Sequence, residues 1–180
     1  MAYLITCAGS KQKPANLNSS RLDQLSYYGV LLSARDELIK LTKVNLEWSR
    51  TLPAWQLYSG KHSRLYPQIS TQNWNKSCVE IKILSALFGW INHTDFVRYY
   101  NLKMTDTIAN TKQQIWRFWF EKDILKGIVH QSDIDLLSQT YRKAINGQIK
   151  PVAIVPNISF RDYGTKKGKW LNRQLNEIVC

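Results

Sequence analysis

The chain begins with an almost uninterrupted apolar run over residues 2–7, which passes directly into the turn Gly9-Ser10-Lys11. A short apolar run bounded by turn residues is typical of a buried strand, and a glycine permits a sharp turn. In open α/β sheets, ligands bind beyond the carboxyl ends of the strands. The pattern therefore predicts a strand with a candidate binding turn at its end, and a strand with a merely polar exit remains the alternative.

Hydrophobic spacing further along the chain predicts helices alternating with strands. Strands are expected over residues 78–90, with an exit through Ser85 and Gly89, and over residues 150–156. A loop with a short helix is expected over residues 51–69. Four helices are expected: over residues 22–44, from about Lys112 onward, over residues 132–146 and over residues 170–178. Gly29 is expected to break the first of them. Ser132 and Asp135 have capping-box spacing at the start of the third. This alternation indicates an α/β sheet.

Composition limits the class of protein. Hydrophobic residues make up 44% of the 180 residues, which is typical of one globular domain with a sizeable core. Cys7, Cys78 and Cys180 have no CxxC spacing, so we expect neither a disulfide framework nor a zinc site, and a reduced, intracellular setting. There is no apolar run of membrane-spanning length and no signal-peptide pattern, so no membrane partner is expected.

The charge points to a polyanionic partner. The net charge is +12, and a surface of this kind attracts DNA and releases its counterions. Five basic residues form a dense run near the end of the chain, and we expect them to contact DNA: Arg161, Lys166, Lys167, Lys169 and Arg173. The seven tryptophans and nine tyrosines suit either stacking on bases or an aromatic core.

Three segments combine small and polar residues at predicted strand ends or turns: residues 7–11, 58–61 and 85–95. If they converge, they form a pocket with backbone N–H groups, lysines and a carboxylate. The expected substrate- or phosphate-binding residues are Cys7, Gly9, Ser10, Lys11, Tyr58, Gly60, Lys61, Ser85, Gly89 and Tyr100, with Asp95 in the same pocket. Cys7 fits a nucleophile or simple packing. The three histidines have no metal-ligand spacing, so no metal or other cofactor is expected.

One stretch carries a family resemblance. The segment ILSALFGWINHTDFVRYYNLKM, residues 83–104, resembles without a gap a stretch of the YaaA family of bacterial peroxide-stress proteins. Segments LPAWQLYSG, IWRFWFEKDI and KKGKWLNRQL resemble further family segments, and they occur in the same order. The opening ITCAGSK looks closer still to small phage and bacterial relatives, which include α-glutamyl/putrescinyl thymine pyrophosphorylase-like proteins and modified-base DNA glycosylases.

This resemblance implies a single YaaA-like domain over residues 1–180, with a mixed central sheet flanked by helices. It also implies an enzyme that acts on a base flipped out of DNA and stacked on Tyr58, Tyr100 or Trp90. Cleavage of the N-glycosidic bond needs a carboxylate, for which Asp95 is the first candidate and Asp106 the second. Tyr99 and Lys103 depart from the family pattern, and the chain is shorter than a full YaaA protein, which affects the peroxide role more than the fold.

Two other classes of function remain open. A DNA-binding stress or defence protein without chemistry would not need Asp95 or Ser10. A nucleotide-handling enzyme that reads free phosphates through the Gly-Ser-Lys turn would not need a net charge of +12. Release of a base from modified DNA is the observation that separates these classes.

Overall fold

The computed structural model describes residues 1–14, 19–46, 50–145 and 163–180. The strands are β1 (Tyr3–Thr6), β2 (Thr51–Pro53), β3 (Ile81–Ser85), β4 (Gly89–Asn92), β5 (Phe96–Arg98) and β6 (Ile134–Asp135). The helices are α1 (Tyr28–Thr42), α2 (Ala54–Leu57), α3 (Thr71–Trp74), α4 (Ile115–Lys122), α5 (Gln139–Ala144) and α6 (Tyr163–Glu177). Short 3₁₀ turns occur at Leu22–Gln24, Tyr66–Gln68 and Lys126–Ile128. The expected strand over residues 150–156 lies outside the described residues.

The central sheet has four strands in the order β4-β3-β1-β6. Strand β1 runs parallel to both β3 and β6, whereas β4 runs antiparallel to β3. Strands β2 and β5 form a separate two-stranded antiparallel sheet. The architecture is a mixed α/β fold, which confirms the fold class predicted from the sequence.

The continuous apolar character of β1 and β3 follows from their position in the sheet. All five residues of β3 are buried, and helices and loops cover both faces, as is usual for strands with parallel neighbours. The predicted strand over 78–90 is in fact a hairpin. Gly89 adopts a φ of +63°, and this left-handed conformation, which favours glycine, turns the chain back into β4.

Two helix predictions need correction. The predicted helix over 22–44 is interrupted before Gly29, because Tyr27 adopts a φ of +61° and α1 begins after it. The predicted helix over 132–146 is wrong in its first half. There, Ile134 donates its backbone N–H to Ala2 and Leu136 donates to Leu4, so this segment joins the sheet edge as β6. Helix α5 then begins only at Gln139.

Helix α6 packs across the loops that surround the sheet. Asn73 donates to the side chains of Asn172 and Asn176 at 2.7 Å, and Lys76 donates to the backbone carbonyls of Leu175 and Ile178. A disulfide joins Cys78 to Cys180, so the expectation of no disulfide is wrong for this pair. No helix among the described residues is long and apolar enough to cross a membrane.

Candidate active site at the carboxyl edge of the sheet

Strands β1, β3 and β6 all run in the same direction, so their carboxyl ends lie at the same edge of the sheet, here called the carboxyl edge. Cys7 follows β1 directly and donates its backbone N–H to Leu84 of β3 at 3.0 Å. Its thiol, the only free one of the three cysteines, lies 3.0 Å from the hydroxyl of Tyr141 on α5. The carboxyl edge therefore places a thiol and a phenol in direct contact.

Beside Cys7, three hydroxyl groups form a closed hydrogen-bonded triangle. The Tyr100 hydroxyl lies 2.8 Å from that of Ser85 and 2.9 Å from that of Tyr58, and Tyr58 donates to Ser85 at 3.2 Å. Phe88 donates its backbone N–H to the same Ser85 oxygen, which locks the serine rotamer. Burial raises the pKa of both tyrosines well above the usual range, so they stay protonated and neutral.

This burial corrects one expectation. The exposed fractions of Tyr58, Tyr100 and Trp90 are 0%, 1% and 0%. A base cannot stack on a ring that is already covered on both faces. In this structure these side chains support the site from beneath instead of offering a stacking surface.

Lys11 covers the triangle from the solvent side. Its ammonium lies 4.3 Å from the centre of the Tyr100 ring and 5.9 Å from that of Tyr58, which is cation–π geometry. Burial lowers the pKa of Lys11, whereas nearby Cys7 and Asp106 act in the opposite direction and favour the charged form. The lysine is thus a partly desolvated amine in the electrostatic reach of a thiol and a carboxylate.

The turn that carries Ser10 and Lys11 is held against a second turn at residues 60–63. A Cβ atom on Gly60 would lie 2.6 Å from the backbone of both Ser10 and Lys11, so only glycine permits this approach. The Ser10 hydroxyl accepts the backbone N–H of His62 at 3.1 Å. The predicted association of Gly9, Ser10 and Lys11 with Tyr58, Gly60 and Ser85 is therefore present, while Lys61 is exposed on the outside of the second turn.

Two open clefts meet at Cys7. The first, of about 270 Å³, we call the 102–105 cleft; it is lined by residues 7–9 and 102–105 together with Ser138, Thr140 and Tyr141. The second, of about 210 Å³, we call the 62–66 cleft; it is lined by residues 6–10 and 62–66 together with Gly164. The segment Cys7-Ala8-Gly9 separates them and contributes to both.

Asp106 lies directly beside the 102–105 cleft. Its carboxylate accepts the backbone N–H of Lys103 at 2.8 Å, and its own N–H donates to the Lys103 carbonyl at 3.0 Å. This tight turn holds the carboxylate against the backbone of Lys103, a residue that lines the cleft. The negative charge of Asp106 favours the protonated form of Lys11 and so partly opposes the effect of burial on the pKa of that lysine.

Asp95 lies at the other end of the sheet, so its predicted place in the pocket is wrong. Because β4 is antiparallel, Asn92 pairs with Lys82 near the start of β3, three residues, or about 10 Å, from Ser85. The Asp95 carboxylate accepts the Ser26 hydroxyl at 2.7 Å and the backbone N–H groups of Ser26 and Asn92 at 2.9 and 3.0 Å. It holds the turn after β4 against the start of α1.

The residues expected to contact DNA divide into three groups. Lys166, Lys169 and Arg173 are exposed on α6 at spacings that place them on one face. Lys167 is 3% exposed and donates to the carbonyls of Leu136 and Leu137, so the expectation that it contacts DNA is wrong. Burial lowers its pKa to about 7. Arg161 lies outside the described residues.

The remaining expected site residue, Gly89, serves the hairpin. Besides its positive φ, a Cβ atom there would lie 3.1 Å from the Trp119 ring. Gly89 therefore shapes the end of β3 through packing and does not line either cleft.

The family model described as peroxide stress protein YaaA matches residues 10–173. The chain belongs to the YaaA family. The match extends from Ser10, in the turn after β1, almost to the end of α6, and it includes both Asp95 and Asp106. No curated protein matches the sequence significantly.

The YaaA family accounts for the sequence pattern of residues 83–104, but two residues that line the clefts were not predicted from the sequence. Tyr141, which contacts the Cys7 thiol, occupies an apolar helical position in the sequence and carries no motif. Arg64, which lines the 62–66 cleft, is one of many dispersed basic residues. Neither had a signal in the sequence, because the contact that makes each relevant joins distant parts of the chain.

Proposed function

We propose that this YaaA-family protein is a DNA-binding enzyme that cleaves the N-glycosidic bond of a modified nucleobase held in the 102–105 cleft. The observation that carries the proposal is the meeting at the carboxyl edge of the Cys7 thiol, which lines an open cleft, with the partly buried Lys11 amine and the Asp106 carboxylate, which follows the lining residues 102–105 in the chain. Burial shifts the pKa of Lys11 and of Tyr141 at this edge, and titratable groups with shifted pKa values beside a cleft are typical of catalytic sites. The net charge of +12 supports DNA as the macromolecule that presents the base.

The size of the cleft supports a single base as the ligand. Its volume of about 270 Å³ lies just below the range of roughly 300–1,000 Å³ typical of pockets for drug-sized ligands. One extruded base fits such a space, whereas a stacked pair does not. Cys7 and Tyr141 would form the floor of the cleft, with the thiol and phenol available to hydrogen-bond the edge of the base.

In the proposed reaction, water adds to C1′ of the deoxyribose while the C1′–N bond breaks. The departing base takes up one proton from solvent, and the proton that the water loses passes through the carboxylate back to solvent. The sugar becomes positively charged in the transition state, and a carboxylate nearby stabilises that charge and accepts a proton from the water. Asp106, in the turn that follows the cleft residues 102–105, is our candidate for this carboxylate. Its bond to the Lys103 N–H keeps it oriented before the base enters.

The test compares Asp106→Asn with the wild-type protein. DNA duplexes containing hypermodified thymines are incubated with each, and released base and abasic sites are measured. We expect Asp106→Asn to lose on the order of a hundredfold or more in rate, because it removes the developing-charge interaction. DNA affinity should stay nearly unchanged, because the group acts mainly in the transition state.

Asp95→Asn is the matched control, because it makes the same chemical change at the far end of the sheet. It should release base at the wild-type rate. Equal release by the wild type and Asp106→Asn would remove Asp106 from the mechanism. No release by the wild type from any modified duplex, with DNA binding intact, would favour a DNA-binding stress protein without chemistry.

A further inference from the structure

The 62–66 cleft differs from the 102–105 cleft in that backbone groups and an arginine line it. Ala8 and Gly9 have little or no side chain, so backbone groups form that wall of the cleft. Among the described residues, the backbone N–H groups of Ala8, Gly9 and Ser10 donate no hydrogen bond to the protein. A run of successive free N–H groups in a turn is a common way to bind an anion.

One residue that lines this cleft carries a permanent charge, and this charge is positive. Arg64 and His62 line it, and no described lining residue is acidic. Gly164, the second residue of α6, also lines it, so the positive end of that helix dipole lies at the same place. Arginine with backbone N–H donors is a combination that favours phosphate through charge-assisted hydrogen bonds.

The cleft is also held in shape without a ligand. Gly60 packs directly on the backbone of Ser10 and Lys11, and the Ser10 hydroxyl accepts the His62 N–H. On the next side, the Tyr66 hydroxyl donates to the Thr6 carbonyl at 2.8 Å, which fixes the end of β1 against residues 65–66. The donors are therefore positioned before binding, which reduces the entropy lost when an anion enters.

We propose that the 62–66 cleft is a phosphate-binding subsite, formed by the free amides of residues 8–10 and the guanidinium of Arg64. This inference rests on the proposed function and deepens it, because the cleft shares the segment Cys7-Ala8-Gly9 with the 102–105 cleft. A nucleotide that spans this segment places its base on one side and its phosphate on the other. The ligand group is a phosphate monoester or diester next to the bound base.

The first test measures the binding of inorganic phosphate, thymidine 5′-monophosphate and the dinucleotide TpT by calorimetry at low salt. Arg64→Gln should weaken binding of the phosphate-bearing probes by about tenfold or more, since it removes a charge-assisted contact. Lys61→Gln is the matched control, because Lys61 is exposed, lies three residues away and does not line the cleft. It should change the affinities by less than about twofold, as a screened surface charge does.

A second pair of variants tests the backbone turn. Gly60→Ala places a Cβ atom 2.6 Å from the backbone of Ser10 and Lys11, so it must shift the turn and weaken phosphate binding. A Cβ atom on Gly29, which lies in α1 and lines neither cleft, would meet no atom within 4 Å, so Gly29→Ala should bind phosphate as the wild type does. Circular dichroism and thermal unfolding of both variants establish that each remains folded.

The possible results separate this inference from the proposed function. Phosphate binding that depends on Arg64, without any base release, keeps the subsite and discards the glycosylase. Base release that is unaffected by Arg64→Gln, together with unchanged phosphate affinity, discards the subsite and keeps the glycosylase. A preference for thymidine monophosphate over TpT, or the reverse, identifies the free nucleotide or the DNA strand as the source of the phosphate.

Discussion

Removal of the Asp95 carboxylate tests whether this residue is structural, as its contacts indicate. Asp95→Ala deletes the acceptor for three donors: the Ser26 hydroxyl and the backbone N–H groups of Ser26 and Asn92. A donor left unpaired in a buried place costs roughly 1–3 kcal/mol. Two backbone donors, both partly buried, lose their acceptor, so we expect the free energy of unfolding to fall by about 2–4 kcal/mol.

Asp95→Asn should be milder because the amide can replace most of these contacts. Its oxygen, placed where the carboxylate now meets the two N–H groups, accepts both, and its NH₂ group donates to the Ser26 hydroxyl oxygen. What is lost is the negative charge near Arg35, which is 0% exposed and donates to the carbonyls of Ser26, Phe88 and Trp90. Because burial disfavours the charged carboxylate overall, we expect the free energy of unfolding to fall by less than about 1 kcal/mol at neutral pH.

The pH dependence of stability has a definite sign for this residue. Burial raises the pKa of Asp95 above its usual value, although the bonds from Ser26 and Asn92 and the charge of Arg35 partly oppose the shift. Between its unfolded and its folded pKa, the native state binds more protons than the unfolded state. The contribution of Asp95 to stability therefore falls as the pH rises through that window, and Asp95→Asn should remove this part of the slope.

The assay is urea denaturation of the wild type, Asp95→Ala and Asp95→Asn, followed by tryptophan fluorescence at several pH values. The midpoint should fall in the order wild type, Asp95→Asn, Asp95→Ala, with an unchanged m-value. A loss below about 0.5 kcal/mol for Asp95→Ala would refute the structural assignment. Full stability of Asp95→Asn combined with lost base release would instead return Asp95 to the catalytic site.

Two further predictions concern the surface. Replacing Lys166 and Lys169 by Gln should lower DNA affinity and reduce the slope of log K against log salt by about 2. The same change at the exposed Lys40 and Lys43, at the end of α1 and near Asp36, should have neither effect. Fluorescence anisotropy at several salt concentrations measures the affinity of both variants. Reduction of the disulfide that spans 102 residues between Cys78 and Cys180 should lower the free energy of unfolding by about 2–5 kcal/mol. Denaturation with and without dithiothreitol checks this, and Cys78→Ser should show no response to the reductant.

The carboxyl edge of β1 could be predicted from the sequence because its information is local. An apolar run ending in Gly9, Ser10 and Lys11 specifies a buried strand and its exit without reference to any other part of the chain. The same reasoning fails for the segment 132–146. Its capping-box spacing is also local, but the backbone of Ile134 and Leu136 pairs with β1, and this distant partner outweighs the helical pattern.

The misplaced Asp95 shows why the composition of the candidate site was harder to predict than its location. Residues 79–91 are mostly apolar in both directions from Ser85, because β3 and β4 are both buried, so hydrophobicity does not mark where the chain reverses. The reversal depends on the left-handed backbone of Gly89, a residue that also suits an ordinary strand exit. A single undetected hairpin carries every later residue to the opposite end of the sheet. Asp106 returns to the carboxyl edge only because the chain crosses back through Tyr100 to the Lys103 turn. The topology of the chain therefore decides which carboxylate lies near the 102–105 cleft. The positions of Asp95 and Asp106 in the sequence do not reveal this topology.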